Sequence, residues 1–358
     1  IADKDGGSAK SGGCLIAHIQ AEEELVSEYF GDDIRHQVEK QLRDALRKMV
    51  DFIKSTGVEC SHHDGYYFIR ENMPGDIQGE ERVAMEEKLK EWLAFRVSTV
   101  RELGVEPVRV LERAERRGET GIDGCDAAVY NPRFGVADVH ALLTAEHGVA
   151  DQLRRRGVEL IEHTPVTSFI DEGGGKPATL RCGGKDIQTT TFHIAAGGAA
   201  RDLVPSLAAV TYETTHAALD IELTPELSEL YRAVGGFQNN VEPNITYGKF
   251  FRRGGTSFIF LGEPETVGKE SVCDVTSLMV ILRRICPEAY AHFIGDEQRM
   301  RQIADAFTTN GGSYESADRT LKMYQGPLLR TVNNMVLCRQ ISPSGTIAPA
   351  FGGAGIVP

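Results

Sequence analysis

Glycine clusters are the residues of this chain whose type and spacing best fit a chemical role. Glycine lets the backbone approach a ligand closely and leaves amide groups free to meet a phosphate or carbonyl oxygen. The clusters are Gly6-Gly7 with Gly12-Gly13, then Gly197-Gly198, then Gly352-Gly353 with Gly355. Each stands at a predicted junction between a strand and a loop, where α/β folds bind their ligands. The alternative is ordinary loop chemistry, which would account for any one cluster taken alone.

Two acidic residues precede the first cluster. Asp3 and Asp5 fit the residue that receives ribose hydroxyls in dinucleotide sites, which normally follows a GxGxxG phosphate turn by about 20 residues. No such turn occurs anywhere in the 358 residues. We therefore expect the opening IADKDGGSAKSGG to be the end of a second strand and a cofactor loop, with the first strand and phosphate turn upstream. The alternative is that the protein has discarded the phosphate half of its cofactor site.

Other familiar chemistries find no support in the sequence. His62 and His63 are adjacent, and neighbouring residues of a strand point to opposite faces, so we predict no metal site there. There is no HExxH, no G-x-S-x-G elbow and no Walker A loop, which argues against zinc hydrolases, serine hydrolases and P-loop phosphoryl transfer. The seven cysteines are irregularly spaced, which favours free thiols in a reducing compartment over disulfides or zinc.

Charge and hydropathy argue against two further classes of protein. Acids outnumber bases by 52 to 39, giving a net charge of −13, whereas a nucleic-acid binder needs a basic face to neutralise phosphates. No apolar run approaches the roughly 20 residues that a membrane span requires. We therefore predict no nucleic-acid partner and no membrane span.

The elements that would position the glycine clusters follow from hydrophobic periodicity. Apolar residues at spacings of three and four predict a helix within residues 21–56 that ends at Gly57. Residues 65–72 are rich in aromatic and β-branched side chains and predict a strand. Residues 78–103 then predict an exposed helix.

The middle of the chain predicts half of a βαβ unit. Residues 131–135, with their proline and glycine, predict a turn. Asp138 can cap a helix that Gly157 ends, and short strands are predicted at 158–162 and 166–170.

Later segments return to an antiparallel pattern. The glycine-rich residues 171–177 predict a hairpin turn, and residues 192–196 predict a strand that runs into Gly197-Gly198. Long strands over 209–262 include a hairpin closed at Gly254-Gly255. Helical periodicity returns over 275–308. Together these patterns predict a mixed α/β fold, in which a nucleotide-type domain is interrupted by a second domain with a broad sheet.

Four ordered stretches resemble the FAD-dependent amine and amino-acid oxidoreductases of the D-amino-acid-oxidase type. The opening is similar to the family's second-strand end and flavin loop, and residues 129–169 to its turn, helix and adenine-side strand. The stretch FHIAAGGAARDLVPSL resembles the strand that ends beside the flavin, while YQGPLLRTVNN and AFGGAGIVP resemble C-terminal elements near the flavin ring. The stretch TYGKFFRRGGTSFIFLGEPE is most similar to mitochondrial FAD-dependent oxidoreductase-domain proteins linked to respiratory-complex assembly.

This resemblance implies both a domain organisation and a reaction. A Rossmann-type FAD-binding domain would comprise residues 1–56, 127–206 and 325–358, and the inserted antiparallel-sheet substrate domain residues 57–126 and 207–324. The reaction would be hydride transfer from the C–N carbon of a small amine or amino acid to the flavin, followed by hydrolysis of the imine. In such enzymes the flavin supplies the difficult chemistry and the protein orients the substrate.

The resemblance also assigns cofactor contacts to particular residues. Asp3 would hold the ribose, and Val166 would meet the adenine through its backbone. Ser11, Gly12 and Gly13 would approach the flavin or pyrophosphate. The residues that would line the flavin are Ala196, Gly197, Gly353 and Gly355.

The C-terminal motifs depart from the family pattern. Where the family has G-x-R-P-x-T-x-D-x-x-P, the arginine has become Leu328 and the aspartate Asn333, and a later histidine has become Ala354. A substrate carboxylate favours a bidentate arginine. Arg330 and Arg252 are the remaining candidates for that catalytic-site role, and both could equally be surface residues.

Two hypotheses therefore stay open. In the first, the protein is an FAD-dependent enzyme that oxidises an amine or amino acid. In the second, FAD and turnover have been lost, and the chain is a pseudoenzyme that serves as a structural subunit or assembly partner of a mitochondrial respiratory complex. The flavin-loop glycines favour the first hypothesis, whereas the missing GxGxxG and the altered C-terminal motifs favour the second.

Overall fold

A computed structural model describes residues 13–16, 27–28, 30–71, 78–196, 200–231, 235–241, 244–267, 272–331 and 339–347. Helices and strands alternate and combine into the predicted mixed α/β fold. The strands are β1 (Cys14–Leu15), β2 (His63–Glu71), β3 (Arg109–Leu111), β4 (Cys125–Val136), β5 (Val166–Ile170), β6 (Ala178–Cys182), β7 (Lys185–Thr189), β8 (Phe192–Ile194), β9 (Thr211–Glu222), β10 (Gly236–Val241), β11 (Asn244–Arg253), β12 (Thr256–Val267), β13 (Ser313–Glu315), β14 (Leu321–Thr331), β15 (Arg339–Gln340) and β16 (Gly345–Ile347). The helices are α1 (Asp32–Thr56), α2 (Gly79–Glu102), α3 (Arg113–Thr120), α4 (Val139–Thr144), α5 (Val149–Arg155), α6 (Ala200–Leu203), α7 (Pro225–Leu230), α8 (Thr276–Ile285), α9 (Pro287–Phe293) and α10 (Glu297–Thr309).

A large mixed sheet forms the centre of the fold. Its strands follow the order β1-β4-β2-β10-β11-β12-β9-β14-β13, and β3 adds to β4. The strands β2 and β10 run parallel, whereas the other neighbours in this sheet pair antiparallel. The hairpin of β11 and β12 closes at Gly254-Gly255, as the sequence predicted.

The two faces of this sheet are covered differently. On one face, alternate strand residues pack against α8, α9 and α10 in the largest apolar cluster, which includes Leu219, Phe250 and Leu282. On the other face, helices α1 and α2 cover the β4 and β2 side through a second cluster that includes Trp92. Over β11, β12 and β9 this second face instead carries a small aromatic group around Phe251. The second face is therefore where polar side chains can be held against the sheet.

Two small sheets lie beside the large one. The strands β5, β6 and β7 form an antiparallel meander, while β8 pairs parallel with β16 and β16 antiparallel with β15. The rings of Phe169 and Phe192 lie 5.0 Å apart and join the two sheets. The turn predicted at 171–177 connects β5 to β6, and the strand predicted at 192–196 is β8.

Several local predictions are confirmed by cap geometry. The helix predicted to end at Gly57 is α1, and Gly57 adopts the left-handed conformation at φ 68° and donates its N–H to Ile53. Asp138 caps α4 by accepting the N–H of Ala141. The predicted single helix is divided in two, however, because residues 145–148 are not helical and separate α4 from α5.

Two predictions are wrong, and a third is right only in part: the helix predicted as exposed over 78–103 is α2, which buries Trp92 and Val100 against the sheet. Residues 131–135 are not a turn but belong to β4, where they bulge opposite Gly65 of β2: Asn131 pairs with Tyr66, and Gly135 with Asp64. Proline is tolerated in such a bulge because no ladder donor is needed there. Residues 158–162 are not a strand; within the described part of the chain no strand pairs with them, and Val158 and Ile161 are exposed.

Other predictions concern cysteines, membranes and domains. The six described cysteines are free and buried, in agreement with the prediction of free thiols, and Cys338 lies outside the described residues. None of the helices in the described ranges is long and apolar enough to cross a bilayer. The division of the chain into the two predicted domains stays a prediction.

Candidate active site

Gly13 is the described member of the predicted flavin loop and leads into β1. It has a φ of +65°, which favours glycine, and its carbonyl accepts the N–H of Ala137 at 2.8 Å. A Cβ at this position would overlap the carbonyl oxygen of Ala137 and lie 2.8 Å from Nζ of Lys249. The backbone of the loop is therefore fitted against Ala137 and Lys249 with no room for a side chain.

Lys249 is a buried ammonium on the second face of β11. Only 3% of the residue is exposed, and its Nζ donates to the carbonyl of Ala137 at 2.9 Å. The rings of Phe251 and Phe260 lie 4.5 Å and 5.6 Å from Nζ, within reach of cation–π attraction. Burial lowers the pKa of Lys249, and the negative charge of Asp138 opposes that shift. Ala137 thus links the predicted flavin loop on one side to a buried cation on the other.

Asp138 supplies the counter-charge. It is 2% exposed, and its Oδ2 accepts a hydrogen bond from Nε of Arg253 at 2.7 Å while its Oδ1 caps α4. Burial would raise the pKa of Asp138, but the hydrogen bond from Arg253 and the charges of Arg253 and Lys249 hold that pKa below its usual value. Asp138 is therefore ionised at neutral pH.

Asp220 lies in the same lateral row of the sheet as Lys249. Lys249 pairs with Phe260 across β11 and β12, and Phe260 pairs with Asp220 across β12 and β9. The Oδ2 atom of Asp220 accepts from the hydroxyl of Tyr324 at 3.3 Å. Its Oδ1 atom is shielded from solvent and has no hydrogen-bond partner among the described residues, although the residue as a whole keeps some exposed surface.

Opposing influences set the protonation of Asp220. Burial raises its pKa to about 6, and the charges of Lys249 and Arg253 together with the Tyr324 hydrogen bond limit the rise. Because these groups act on one another across a short stretch of sheet, we refer to Lys249, Asp138, Arg253, Asp220 and Tyr324 as the charged cluster. Perturbed carboxylates of this kind concentrate at functional sites.

Cys14 and Tyr66 connect the charged cluster to β10. The Tyr66 hydroxyl donates to the carbonyl of Phe237 at 3.1 Å and lies 3.8 Å from Sγ of Cys14. Burial raises the pKa of Cys14 to about 11, against the hydrogen bond from Tyr66 and the charge of Lys249. The Cys14 thiol is therefore neutral at physiological pH and unsuited to act as a nucleophile.

Two of the predicted cofactor contacts, Ala196 and Val166, lie on or next to the small sheets. Ala196 follows the carboxyl end of β8 and is exposed, and β8 runs parallel to β16. Val166 is exposed at the start of β5. The cofactor contacts assigned to Ala196 and Val166 stay predictions. The predicted contacts Asp3, Ser11, Gly12, Gly197, Gly353 and Gly355 lie outside the described residues.

Of the two arginines predicted to bind a substrate carboxylate, Arg252 lies apart from the charged cluster. Arg252 is exposed and, with Phe250, lines a cavity of about 200 Å³ on the other side of β11 from Lys249. Arg330 lies in β14 opposite Tyr212, and only its backbone is described. Their assignment stays a prediction.

Sequence inspection missed most of the charged cluster. Asp138 was identified only as a helix cap, and Lys249, Asp220 and Tyr324 were not identified. A usable signal was present, because a lysine in TYGKFF and an aspartate in AALDIEL interrupt strands that are otherwise apolar or aromatic. Among the described residues, no group of His, Cys, Asp and Glu could hold a metal ion.

Comparison with known proteins supplies independent information. The model of the family described as "FAD dependent oxidoreductase" matches residues 2–353. No curated protein matches the chain by sequence.

Solved structures share the fold at low identity. Glycine oxidase from Geobacillus kaustophilus superposes with a TM-score of 0.61 at 15% identity, covering 97% of this chain and 79% of that one. Fructosamine oxidase from Aspergillus fumigatus gives 0.61 at 15% identity, covering 96% and 72%. L-proline dehydrogenase from P. horikoshii gives 0.54 at 14% identity, covering 97% and 78%.

Proposed function

We propose, from the premise that this chain belongs to the FAD-dependent oxidoreductase family, that it oxidises a small amine or amino acid by hydride transfer from the carbon that bears nitrogen. The observation that carries the proposal is the position of the charged cluster. It lies on one sheet face, directly behind the glycine of the predicted flavin loop. Bound FAD would supply the hydride acceptor, and the protein would bind and orient the substrate.

The described residues can hold the cofactor at two places. The backbone at Gly13 would pass close to the flavin, because Ala137 and Lys249 fix that loop from behind. On the small sheets, Ala196 would line the flavin beyond the carboxyl end of β8, and Val166 offers an exposed position for the adenine at the start of β5. We propose these three residues as cofactor contacts.

Lys249 would act as a positioning residue rather than a proton carrier. Its Nζ donates a hydrogen bond to the carbonyl of Ala137, and the N–H of Ala137 donates to the carbonyl of Gly13. The ammonium therefore fixes the distance between β11 and the loop. The rings of Phe251 and Phe260 keep water from this part of the sheet face. A dry, charged surface of this kind strengthens electrostatic contacts with a bound substrate.

The first experiment is the visible absorbance spectrum of the purified protein. The proposal predicts the bands of an oxidised flavin, in the protein as isolated or after incubation with FAD. Anaerobic addition of amines and amino acids, one at a time, should bleach those bands for the true substrate. A protein that stays colourless after incubation with FAD would refute the proposal.

The spectrum, combined with a measurement of the protein's size, tests the structural-subunit alternative. A colourless protein that migrates in gentle extracts well above the mass of its own denatured chain would fit a subunit of a larger assembly. A monomer that holds FAD and is bleached by an amine would exclude it. We keep the mitochondrial location as a proposal that rests on the resemblance of the β11–β12 hairpin, tested by fractionation of the source cells.

A further inference from the structure

We propose that Asp220 binds the protonated nitrogen of the substrate, so that the site is built for a cationic amine and not for a carboxylate. This inference deepens the proposed function and rests on it for the identity of the reaction. It is carried by three observations on the second face of the sheet: an unsatisfied carboxylate oxygen, neighbouring cations that are already engaged, and aromatic walls.

The first observation is the hydrogen bonding of Asp220 itself. Tyr324 occupies Oδ2 and so fixes the plane of the carboxylate. Oδ1 is shielded from solvent without a partner in the described ranges. A buried acceptor left unsatisfied costs free energy that a ligand N–H would recover, and a hydrogen bond between two charged groups is stronger than a neutral one.

The second observation is that the cations nearest Asp220 already have acceptors. Lys249 donates to the carbonyl of Ala137, and Arg253 donates Nε to Asp138. Lys322 pairs opposite Asp220 in the sheet register, yet its Nζ lies 3.1 Å from Glu315 on β13. Within this row of described residues, Asp220 Oδ1 is the buried atom left with no partner at all, and it requires a donor, which an ammonium supplies and a carboxylate does not.

The third observation concerns the rings beside Asp220. Phe260 pairs directly with Asp220, and Tyr324 lies on the adjacent strand. Tyr247 lies close to Phe260, with ring centroids 5.9 Å apart. Aromatic faces attract cations, and a carboxylate with aromatic neighbours is a typical environment for an alkylammonium group.

The test is a calorimetric titration of the purified full chain with n-butylammonium and with butyrate, which differ in charge but not in carbon skeleton. We compare wild type with Asp220→Asn, which keeps the shape and removes the charge. Asp305→Asn, an exposed position on α10, is the matched control. We expect n-butylammonium to bind wild type and the control equally, and Asp220→Asn about tenfold or more weakly.

Two further readouts separate recognition from folding. Asp220→Asn should unfold at or above the wild-type temperature, because burial raises the pKa of Asp220 and its charge is therefore net unfavourable in the folded protein, even beside Lys249. Wild-type binding of n-butylammonium should weaken as pH falls through about 6, because Asp220 gains a proton there. The neighbouring groups that set this pKa are Lys249, Arg253, Tyr324 and Asp138. In Asp220→Asn that pH dependence should disappear.

The outcomes are distinguishable from failure of the proposed function. Equal affinity of wild type and Asp220→Asn, no binding of n-butylammonium to wild type, or tighter binding of butyrate would each overturn the inference. Calorimetry does not require turnover, so a chain without FAD that still binds n-butylammonium through Asp220 would refute the proposed reaction and leave the inference standing. A flavin that is bleached equally by amines in wild type and in Asp220→Asn would support the proposed reaction and refute the inference about Asp220.

Discussion

Replacing Asp138 should destabilise the protein because its carboxylate both caps α4 and places a negative charge beside Arg253 and Lys249. We consider Asp138→Asn, which keeps a side-chain oxygen for the cap of α4 but removes the charge, and Asp138→Ala, which removes both. Loss of the cap costs about 1 kcal/mol. The ion pair with Arg253 contributes at most about 1 kcal/mol, because the arginine side chain is 54% exposed and water screens its charge.

The larger cost comes from Lys249, which remains buried when its counter-charge is removed. Breaking a fully buried pair costs roughly 3–5 kcal/mol. Asp220 still offsets part of that charge, so we take about 2 kcal/mol. Asp138→Asn should therefore lower the free energy of unfolding by about 2–3 kcal/mol and Asp138→Ala by about 3–4 kcal/mol, out of a total of roughly 5–15 kcal/mol for a folded domain.

Urea unfolding at pH 7, with the slopes compared between variants, measures these differences. A double-mutant cycle with Lys249→Met should show coupling of more than about 1 kcal/mol, because the two side chains act on the same charge balance. The reasoning is refuted if Asp138→Asn lies within about 0.5 kcal/mol of wild type, the range of an ordinary surface substitution.

Acid provides an internal check on the Asp138 prediction. The folded-state pKa of Asp138 lies below its ordinary value of 3.8, so its ionised form is favoured by folding. The stabilisation is therefore fully present above that ordinary value and is lost as pH falls through the lowered folded-state pKa. The gap in stability between wild type and Asp138→Asn should narrow over that acidic range.

Three further predictions test other parts of the structure. Gly13→Ala should cost at least 2-fold more unfolding free energy than Gly254→Ala, since both have positive φ but only Gly13 lacks space for a Cβ; a strained φ alone costs about 1 kcal/mol. The described cysteines, Cys14 included, should resist a thiol reagent at pH 7 until urea unfolds the chain, and rapid labelling of the native protein would contradict their burial. Tyr231→Phe removes the hydrogen bond to Glu288 and should cost about 1 kcal/mol in thermal or urea unfolding, whereas an unchanged midpoint would show that the bond contributes nothing.

Local features of this fold could be predicted from the sequence because local physics determines them. The end of α1 at Gly57 and the hairpin at Gly254-Gly255 both depend on glycine in a left-handed conformation, which the sequence displays directly. The bulge at 131–135 could not be predicted in this way. Proline and glycine there favour a turn locally, yet pairing of β4 with β2 holds the segment in a strand.

The charged cluster illustrates the same limit for function. Alternation within a strand places Lys249 and Asp220 on a definite face, but it does not say which face or which strands are neighbours. The two residues meet in one row only because β12 pairs with β11 on one side and with β9 on the other. Such pairing depends on contacts between distant parts of the chain, whereas the resemblance to a family depends on short motifs and was sufficient to identify the fold.

The parallel pairing of β2 with β10 has a consequence for the order in which the protein is made. Tyr66 pairs beside Gly236, so one edge of β2 waits for about 170 further residues to leave the ribosome before it is covered. During that interval the nascent chain exposes the hydrogen-bonding groups of a strand rich in aromatic residues, which is a template for association with other chains. The same late strand brings β11 and Lys249 into place soon afterwards, and the charged cluster is completed only when Tyr324 has also left the ribosome. A cell that produces this protein thus has reason to protect β2 until β10 arrives.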